Sequence, residues 1–325
     1  MTNYYLGVDV GNTKSHALIA NEQGQAIGFG ETGTASWEAI GWRDASAVLG
    51  ALIDQTLASA GLSKADIAGA GFGLAGYDWP EDEEPHRQLI DSLDLGAPYA
   101  MVNDAMPGLL AGSTTGWGVA VSAGTSVNCR GRDRQGRVGR VTGSAQLFGE
   151  HGAANELVAK AMQAVARAWT LQGPPTTLTQ AFIAATGAKD AIDLLAGLAR
   201  ERYHLTPAHA PLVFDVAAAG DPVAQELLIW AGEGLGSLAN GVIRQLHFEN
   251  VAFEVVLAGS FYKGSPRVVE AMRETIHALA PRAKLVRLQA PPVVGATLLG
   301  AEQAGVPIHA LREALIVSTG RLLNG

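Results

Sequence analysis

The sequence predicts an α/β protein, because β-strands and crossover helices alternate in both halves of the chain. Two β-hairpins share the same turn residues. Gly11 in the first corresponds to Gly124 in the second, and Gly24 corresponds to Gly136, at offsets that differ by a single residue. A repeat at the spacing of one domain indicates an internal duplication. We therefore expect two related α/β units.

The composition limits the class of protein. The chain has 325 residues, enough for about two domains of ordinary size, and 48% of them are apolar. A net charge of −8 disfavours nucleic acid as a partner. The single cysteine excludes an intrachain disulfide, a Cys-rich zinc site and a Cys-ligated iron–sulfur cluster held within one chain. With neither a signal peptide nor a long apolar run, we expect a cytoplasmic protein without a membrane partner.

Apolar periodicity and turn residues predict the elements of the first half. The predicted strands are Tyr4–Val10, His16–Ala20, a third strand after the turn at 21–25, Ile67–Leu74 and Tyr99–Val102; the predicted helices are Ala45–Ala60 and one from near Ala105 to about Gly112.

The second half begins with the repeated hairpin and is richer in helices. The predicted strands are Gly118–Val121, Val127–Arg130, Val251–Leu257 and Lys284–Leu288. The predicted helices are Glu156–Leu171, Leu178–Thr186, Ala188–Arg202, Pro222–Leu246, Val268–Leu279 and Val294–Ala304.

The first hairpin turn has the composition of a phosphate cradle. Glycine lets the backbone approach a ligand closely, and free N–H groups beside small polar side chains bind anions. The candidate nucleotide contacts in this turn are Gly11, Asn12, Thr13 and Lys14. Asp9, at the end of an apolar strand, is suited to a hydrated Mg²⁺ ion. The alternative is a plain hairpin turn.

Two further turns have a similar composition. The second hairpin turn offers Gly124, Thr125 and Ser126, and the turn after the strand at 251–257 offers Gly259 and Ser260. Two hairpins of equal design can bind one polyphosphate from opposite sides, and a Gly turn before a helix suits a nucleotide. The alternatives are a Gly/Ser hairpin and an ordinary β–α loop. Neither a P-loop nor a complete dinucleotide-binding glycine motif occurs.

The order of these segments resembles the superfamily of acetate and sugar kinases, heat-shock-70 proteins and actin. More narrowly it resembles the BadF/BadG/BcrA/BcrD ATPase family, and within it the N-acetylglucosamine kinases. The matching segments are Gly7–Ser15, Gly71–Gly76, Val102–Ala105, Val121–Cys129, Val256–Lys263 and Gly295–Gly305.

The resemblance implies two ribonuclease-H-like (actin-like ATPase) domains with a central cleft. We expect residues 1–112 to form the first and 113–325 the second, with the last helix packing back on the first. The implied activity is ATP-dependent phosphorylation of N-acetylglucosamine to its 6-phosphate, with Mg²⁺ as cofactor. A homodimer is also implied.

The resemblance also assigns roles in the sugar site. Asp104 would be the general base that takes the proton from the attacking hydroxyl, a role that phosphoryl transfer requires of one nearby carboxylate. Capping the following helix is an alternative role for Asp104, and it is compatible with catalysis. The sugar contacts would come from Ser36, Gly76, Asn103, Asp104, Gly143 and Glu150.

Two positions depart from the family pattern at this site. Ser36 stands where the amino-sugar kinases carry an asparagine, and Glu150-His151 replaces an Asp-Glu or Asp-Gln pair. Both departures fall in the sugar site, so the resemblance supports ATP binding more strongly than it supports N-acetylglucosamine. Glucosamine, another hexose and N-acetylmuramate remain alternative substrates.

Two charged clusters and the cysteine complete the candidates. We expect the arginines of the second hairpin to form a solvated face, with an anionic ligand or a partner surface as the alternative. These are Arg130, Arg132, Arg134, Arg137 and Arg140. The acidic segment 78–84 is predicted to be a solvated lid, or else to recognise a cationic amino sugar. Cys129 is predicted to lie in the core.

Two functions of other classes stay open. An activator ATPase of the radical dehydratase type holds an iron–sulfur cluster with two cysteines per subunit, and the single Cys129 argues against it. A non-catalytic sugar or nucleotide sensor is the other, and the retained Asp9, Thr13 and Asp104 argue against it.

Overall fold

The computed structural model describes residues 3–324 and contains two five-stranded sheets. The first sheet has the strand order β3-β2-β1-β4-β5. Strands β1, β2 and β3 are antiparallel neighbours, whereas β4 and β5 run parallel to β1. Their bounds are β1 Tyr4–Val10, β2 Lys14–Asn21, β3 Ala26–Gly33, β4 Ile67–Leu74 and β5 Tyr99–Asn103.

The second sheet repeats this topology. Its order is β10-β9-β6-β7-β8, with an antiparallel β6-β7-β8 meander and with β9 and β10 parallel to β6. The strands are β6 Gly118–Ala123, β7 Val127–Arg132, β8 Val138–Arg140, β9 Phe253–Ala258 and β10 Ala283–Arg287. Equal order and direction in both sheets confirm the predicted duplication and the α/β class.

Helices connect the strands and cover the sheets. They are α1 Trp37–Ile40, α2 Trp42–Ser59, α3 Glu83–Asp91, α4 Ala105–Gly112, α5 Ala154–Trp169, α6 Leu178–Thr186, α7 Ala191–Ala199, α8 Ala210–Ala218, α9 Pro222–Leu246, α10 Pro266–His277, α11 Pro292–Gln303 and α12 Ile308–Asn324. Within residues 3–324, none of them combines the length and the apolar character needed to cross a membrane.

One predicted helix is shorter in the structure, and four observed helices are not predicted. The helix predicted at 188–202 begins at Ala191, where Asp190 caps it, and ends at Ala199. Helices α1, α3, α8 and α12 lie where no helix is predicted. Charged residues dominate the first turn of α3, and α8 begins with proline near its N-terminus, so both segments resemble loops in sequence.

Glycines let α11 lie directly on the first sheet. A Cβ atom on Gly7 would fall 2.2 Å from the Thr297 amide nitrogen, and one on Gly71 would fall 2.2 Å from the Ala296 carbonyl oxygen. Helix α4 crosses α11 equally closely, since a Cβ on Gly295 would lie 1.9 Å from the carbonyl oxygen of Pro107. These contacts fix α4, and the residue before it, relative to the first sheet.

One hydrophobic cluster joins the end of the chain to its beginning. Tyr5 and Leu18 of the first sheet share a buried core with Leu298 of α11 and with Leu315 of α12. A separate large core lies between the second sheet and α5 to α10. The division of the chain after residue 112 stays a prediction.

Candidate active site

A cleft of about 580 Å³ opens where the carboxyl ends of the parallel strands meet. Val10, Leu74 and Asn103 are register neighbours at the ends of β1, β4 and β5. Each strand is followed at once by a turn or a helix start. The residues lining the cleft are Asn12, Thr13, Trp37, Glu38, Ala75, Gly76, Asp78, Trp79, Asp82, Asp104, Ser122, Thr125, Ser126, Val127, Asn128, Gly143 and Ser144.

The first hairpin turn presents Asn12 and Thr13 to the cleft. The amide of Gly11 donates to the carbonyl oxygen of Lys14 at 2.9 Å, which closes the turn. The Thr34 hydroxyl donates to the Gly11 carbonyl oxygen at 2.8 Å and ties the turn to the next loop. The Lys14 ammonium lies 2.6 Å from Glu31 and is not among the cleft-lining residues.

The second hairpin turn presents Thr125 and Ser126 to the same cleft. Its backbone is anchored at the start of α5, because the amides of Ala154 and Asn155 donate to the carbonyl oxygens of Gly124 and Thr125 at 3.1 and 3.0 Å. The two predicted phosphate turns therefore face one space, although they lie in different sheets.

The third turn lies beside the second. Gly259 has φ +99°, and a Cβ there would fall 2.1 Å from the carbonyl oxygen of Ala123. The exposed Gly259 and Ser260 thus adjoin the end of β6, outside the residues that line the cleft. Arg287 donates to the Gly259 carbonyl oxygen at 3.1 Å, which fixes the turn.

The segment after β3, which runs into α1, contributes side chains beyond the predicted ones. Ser36 is 1% exposed and does not line the cleft, whereas its neighbours Trp37 and Glu38 do. The indole Nε1 of Trp37 donates to the Gly76 carbonyl oxygen. Burial, reinforced by Asp78 and Asp82, raises the pKa of Glu38. The predicted loop is therefore beside the cleft, but different residues of it reach the cleft.

Asp104 follows β5 and precedes α4. Its amide donates to the Leu74 carbonyl oxygen at 3.2 Å, so the residue is held against the end of β4. Burial raises the pKa of Asp104 to about 6, and the nearby Asp78 carboxylate contributes to that shift. At neutral pH the carboxylate is therefore mostly ionised, but it is a better proton acceptor than an exposed aspartate.

Asp9 lies near the same strand ends. Burial, followed by the charge of Asp104, raises the pKa of Asp9 to about 7. A half-buried carboxylate whose pKa no nearby cation lowers suits a hydrated Mg²⁺ ion, which takes one or two protein carboxylates and keeps waters. No group of three or more His, Cys, Asp or Glu within residues 3–324 forms an all-protein metal site. The single Asp9 carboxylate thus fits a Mg²⁺ ion that a bound ligand also helps to hold.

We expect Asn103 to contact the sugar and Arg130 to lie on a solvated face, but both side chains are buried. Asn103 is only 7% exposed and bonds to protein atoms rather than facing the cleft. Arg130 is 3% exposed and pairs with Asp78 at 2.5 Å, so its predicted place on a solvated face is wrong. Residue alternation put Arg130 on one face of β7, but it could not show that the first half of the chain covers that face.

The other hairpin arginines each have a protein partner. Arg132 pairs with Glu302 at 3.0 Å with its side chain 17% exposed, so the predicted solvated face is wrong here as well. Arg137 pairs with Asp133, and the guanidinium groups of Arg134 and Arg140 lie over the rings of Trp117 and Trp79. Cys129 is fully buried, as predicted.

Glu150 supports the loop that carries Gly143. Its carboxylate accepts hydrogen bonds from the amides of Thr142 and Gly143 at 2.7 and 3.0 Å and from the Thr142 hydroxyl at 2.8 Å. Gly143 has φ +79° and lines the cleft, whereas Glu150 does not. His151 stacks on Trp230, away from the cleft.

The acidic segment at 78–84 contributes cleft residues beyond the predicted ATP and sugar contacts, and its charge singles it out in the sequence. Asp78, Trp79 and Asp82 all line the cleft. Asp82 Oδ2 accepts from the amides of Asp78 and Trp79 at 2.9 and 2.7 Å, which shapes this segment. The segment is therefore part of the cleft wall rather than a freely solvated lid.

Comparison with known proteins agrees with this description. A sequence model of the BadF/BadG/BcrA/BcrD ATPase family matches residues 6–300. An N-acetyl-D-glucosamine kinase from Dictyostelium discoideum is 24% identical over 91% of this chain and 97% of its own length. An N-acetylmuramic acid/N-acetylglucosamine kinase from Clostridium acetobutylicum is also 24% identical, with the same coverage of both chains.

The fold is shared with a solved structure. A candidate N-acetylglucosamine kinase from Chromobacterium violaceum superposes with a TM-score of 0.64 at 24% identity, and the match covers 91% of this chain and 98% of the other. The predicted α/β fold with two similar sheets is thereby confirmed.

Proposed function

Because the chain belongs to the BadF/BadG/BcrA/BcrD ATPase family, we propose that it phosphorylates an amino sugar with ATP. The leading substrate is N-acetylglucosamine and the product its 6-phosphate. One observation carries the proposal: Asp104, Thr13 and Thr125 line a single cleft, although they come from three separate segments. A base and two phosphate-type turns in one space are the parts that phosphoryl transfer needs.

The nucleotide would lie along the strand ends. Asn12 and Thr13 would contact the phosphates from one side, and Thr125 and Ser126 from the other. Gly259 and Ser260 lie beside the second turn, where the adenosine would bind. Asp9 would hold Mg²⁺ together with the phosphates, and the ion would neutralise the charge of the transferred group.

Asp104 would act on the sugar. Its carboxylate, ionised above about pH 6, would accept the proton of the attacking hydroxyl as the oxygen–phosphorus bond forms. The backbone contact to Leu74 keeps Asp104 at the cleft without occupying its side chain. Gly76 and Gly143 line the same space and would contact the sugar.

The quaternary and domain organisation belongs to the same proposal. Residues 1–112 and 113–325 would form the two lobes, with α11 and α12 packed back on the first. Family membership supports a homodimer in the cytoplasm. Light scattering after gel filtration would give about twice the chain mass of 33.7 kDa for a dimer.

A second substrate, glucosamine, is favoured by the carboxylates of the cleft. Glu38 and Asp82 line it together with Asp78, whose charge is paired with Arg130, and the cleft-lining residues include no lysine or arginine. A protonated amine is attracted to such a site, whereas the carboxylate of N-acetylmuramate is repelled. We therefore expect N-acetylmuramate to be the poorest of the three amino sugars.

A coupled ADP-release assay over a sugar panel tests the proposal. We expect turnover with N-acetylglucosamine or glucosamine and Mg·ATP. Asp104→Asn should lower kcat by about 10²- to 10⁴-fold, the usual contribution of a general base, with ATP affinity nearly unchanged. Undiminished activity in that variant would exclude the proposed base. Nucleotide binding without turnover on any sugar would instead indicate a sensor.

A further inference from the structure

A polar network of four side chains, Asp78, Asn103, Asn128 and Arg130, joins the two sheets at the wall of the cleft, and Asp78 and Asn128 line the cleft itself. Asn128 and Arg130 lie two residues apart on β7 of the second sheet. Asn103 ends β5 of the first sheet, and Asp78 follows β4. We call these four residues the cross-sheet network. One of its members, Asn103, directly precedes Asp104 in the chain.

Arg130 and Asp78 form the charged centre of the cross-sheet network. Arg130 Nη2 lies 2.5 Å from Asp78 Oδ1, and the side chains are 4% and 26% exposed. The same Asp78 oxygen accepts from Asn103 Nδ2 at 3.1 Å. Removing one partner of a buried ion pair leaves the other charge uncompensated, so Asp78 depends on Arg130 for its position.

Asn103 connects Asp78 to the backbone on the C-terminal side of Asp104. Its Oδ1 accepts from the amide of Ala105 and from Asn128 Nδ2, both at 3.1 Å. Its Nδ2 also donates to the Tyr77 carbonyl oxygen at 3.3 Å. All four hydrogen-bonding positions of the amide are therefore used. The backbone around Asp104 is held on one side by Leu74 and on the other by Asn103.

We propose that Arg130 is a positioning residue for phosphoryl transfer. Its ion pair with Asp78 holds Asn103, and through Asn103 it holds the first turn of α4 so that Asp104 faces the acceptor hydroxyl. Arg130 also neutralises the Asp78 charge next to Asp104. This inference rests on the proposed function for its catalytic readout. It gives Arg130 a role in the orientation of the base, without contact to substrate.

Kinetics of single and double variants test the inference. Arg130→Met should lower kcat about 100-fold, the effect of a misplacement of about 1 Å, with less than about a threefold change in the KM for ATP. Arg130→Lys should recover part of the rate because it restores the charge. Arg130→Met combined with Asp78→Asn should be more active than Arg130→Met alone, since no unpaired carboxylate then remains beside Asp104.

A matched control is available on the same hairpin. Arg134 lies over the Trp117 ring at 4.6 Å and outside the cleft, so Arg134→Met should leave kcat unchanged. Equal kcat in Arg130→Met and wild type would overturn the inference. An Arg130→Met loss that the double variant does not relieve would also count against it.

Hydrogen exchange gives a readout that needs no turnover. In Arg130→Met the Ala105 amide should exchange faster, because its acceptor on Asn103 is released, while amides in α9 should keep their protection. Unchanged exchange at Ala105 would overturn the inference even if every sugar proved inactive. A wild-type protein without kinase activity would count against the proposed function only, so the two failures are distinguishable.

Discussion

The indole Nε1 of Trp37 donates a hydrogen bond to the carbonyl oxygen of Gly76 at 3.0 Å. The bond joins the start of α1 to the turn after β4, and both residues line the cleft. Gly76 has φ +78°, and a Cβ there would fall 2.6 Å from the same indole nitrogen. The proposed sugar end of the cleft, to which Gly76 belongs, therefore depends on this close contact.

Trp37→Phe removes the donor and keeps an aromatic ring. Loss of one hydrogen bond costs about 0.5–1.5 kcal/mol, so the KM for the sugar should rise roughly threefold to tenfold with the KM for ATP unchanged. Steady-state kinetics in both substrates checks this. Trp169→Phe, on the exposed end of α5, is the control and should behave as wild type. Equal effects on both KM values would contradict the assignment of Trp37 to the sugar end.

The pH dependence of the reaction should report Asp104. The proposed base works only when deprotonated, and burial raises the pKa of Asp104 to about 6. The value of kcat/KM for the sugar should therefore fall by about tenfold per pH unit below pH 6 and level off above pH 7. Rates measured from pH 4.5 to 8.5 with saturating Mg·ATP test this. A flat profile down to pH 5 would be inconsistent with Asp104 as the titrating base.

The same carboxylate should lower the stability of the folded protein at neutral pH. With a pKa of about 6 in the folded state and 3.8 for the ordinary group, the folded protein binds the extra proton between these values. The contribution of Asp104 to the unfolding free energy therefore decreases as pH rises from about 4 to 6. Asp104→Asn should be more stable than wild type by about 1–3 kcal/mol at pH 7.5.

Urea unfolding at two pH values measures this difference. Near pH 3.5 both proteins carry a neutral side chain at position 104, so the difference should disappear. Asp94→Asn replaces an exposed carboxylate and should change stability by less than about 0.5 kcal/mol at either pH. A less stable Asp104→Asn variant at pH 7.5 would refute the prediction.

Two glycines of α9 should respond oppositely to alanine. A Cβ on Gly232 would fall 2.4 Å from the Val268 carbonyl oxygen of α10, whereas one on Gly241 would meet no atom within 4 Å. Gly232→Ala should lower the unfolding free energy by about 1–3 kcal/mol through overpacking. Gly241→Ala should raise it by about 0.5–1 kcal/mol, because alanine is the better helix former. Chemical denaturation of both variants checks the signs.

Much of the fold is predictable from local pattern. The bounds of β1, β4, α6 and α9 match the predictions, because each is a run of consistent periodicity between clear turn or cap residues. The repeated turns at Gly11 and Gly124 predicted two equivalent sheets for the same reason. Helix α3 was not predicted, since its acidic start resembles a solvated loop.

The candidate site was only partly predictable. Glycine and threonine in the phosphate turns, and Asp104 after a strand, are local signals, and the structure brings Thr13, Thr125 and Asp104 together. Trp37 and Glu38 carry no comparable signal, because their place at the cleft depends on how the loop after β3 folds against Gly76.

Residues close together in the chain are enough to predict the α/β class, the duplication and the composition of the turns. Only the contacts of the folded chain show that Arg130 is buried against Asp78 and that Glu150 supports a loop rather than facing the cleft. Strand alternation shows which side chains share a face. What covers that face is set by contacts between segments far apart in the chain, and one sequence does not record them.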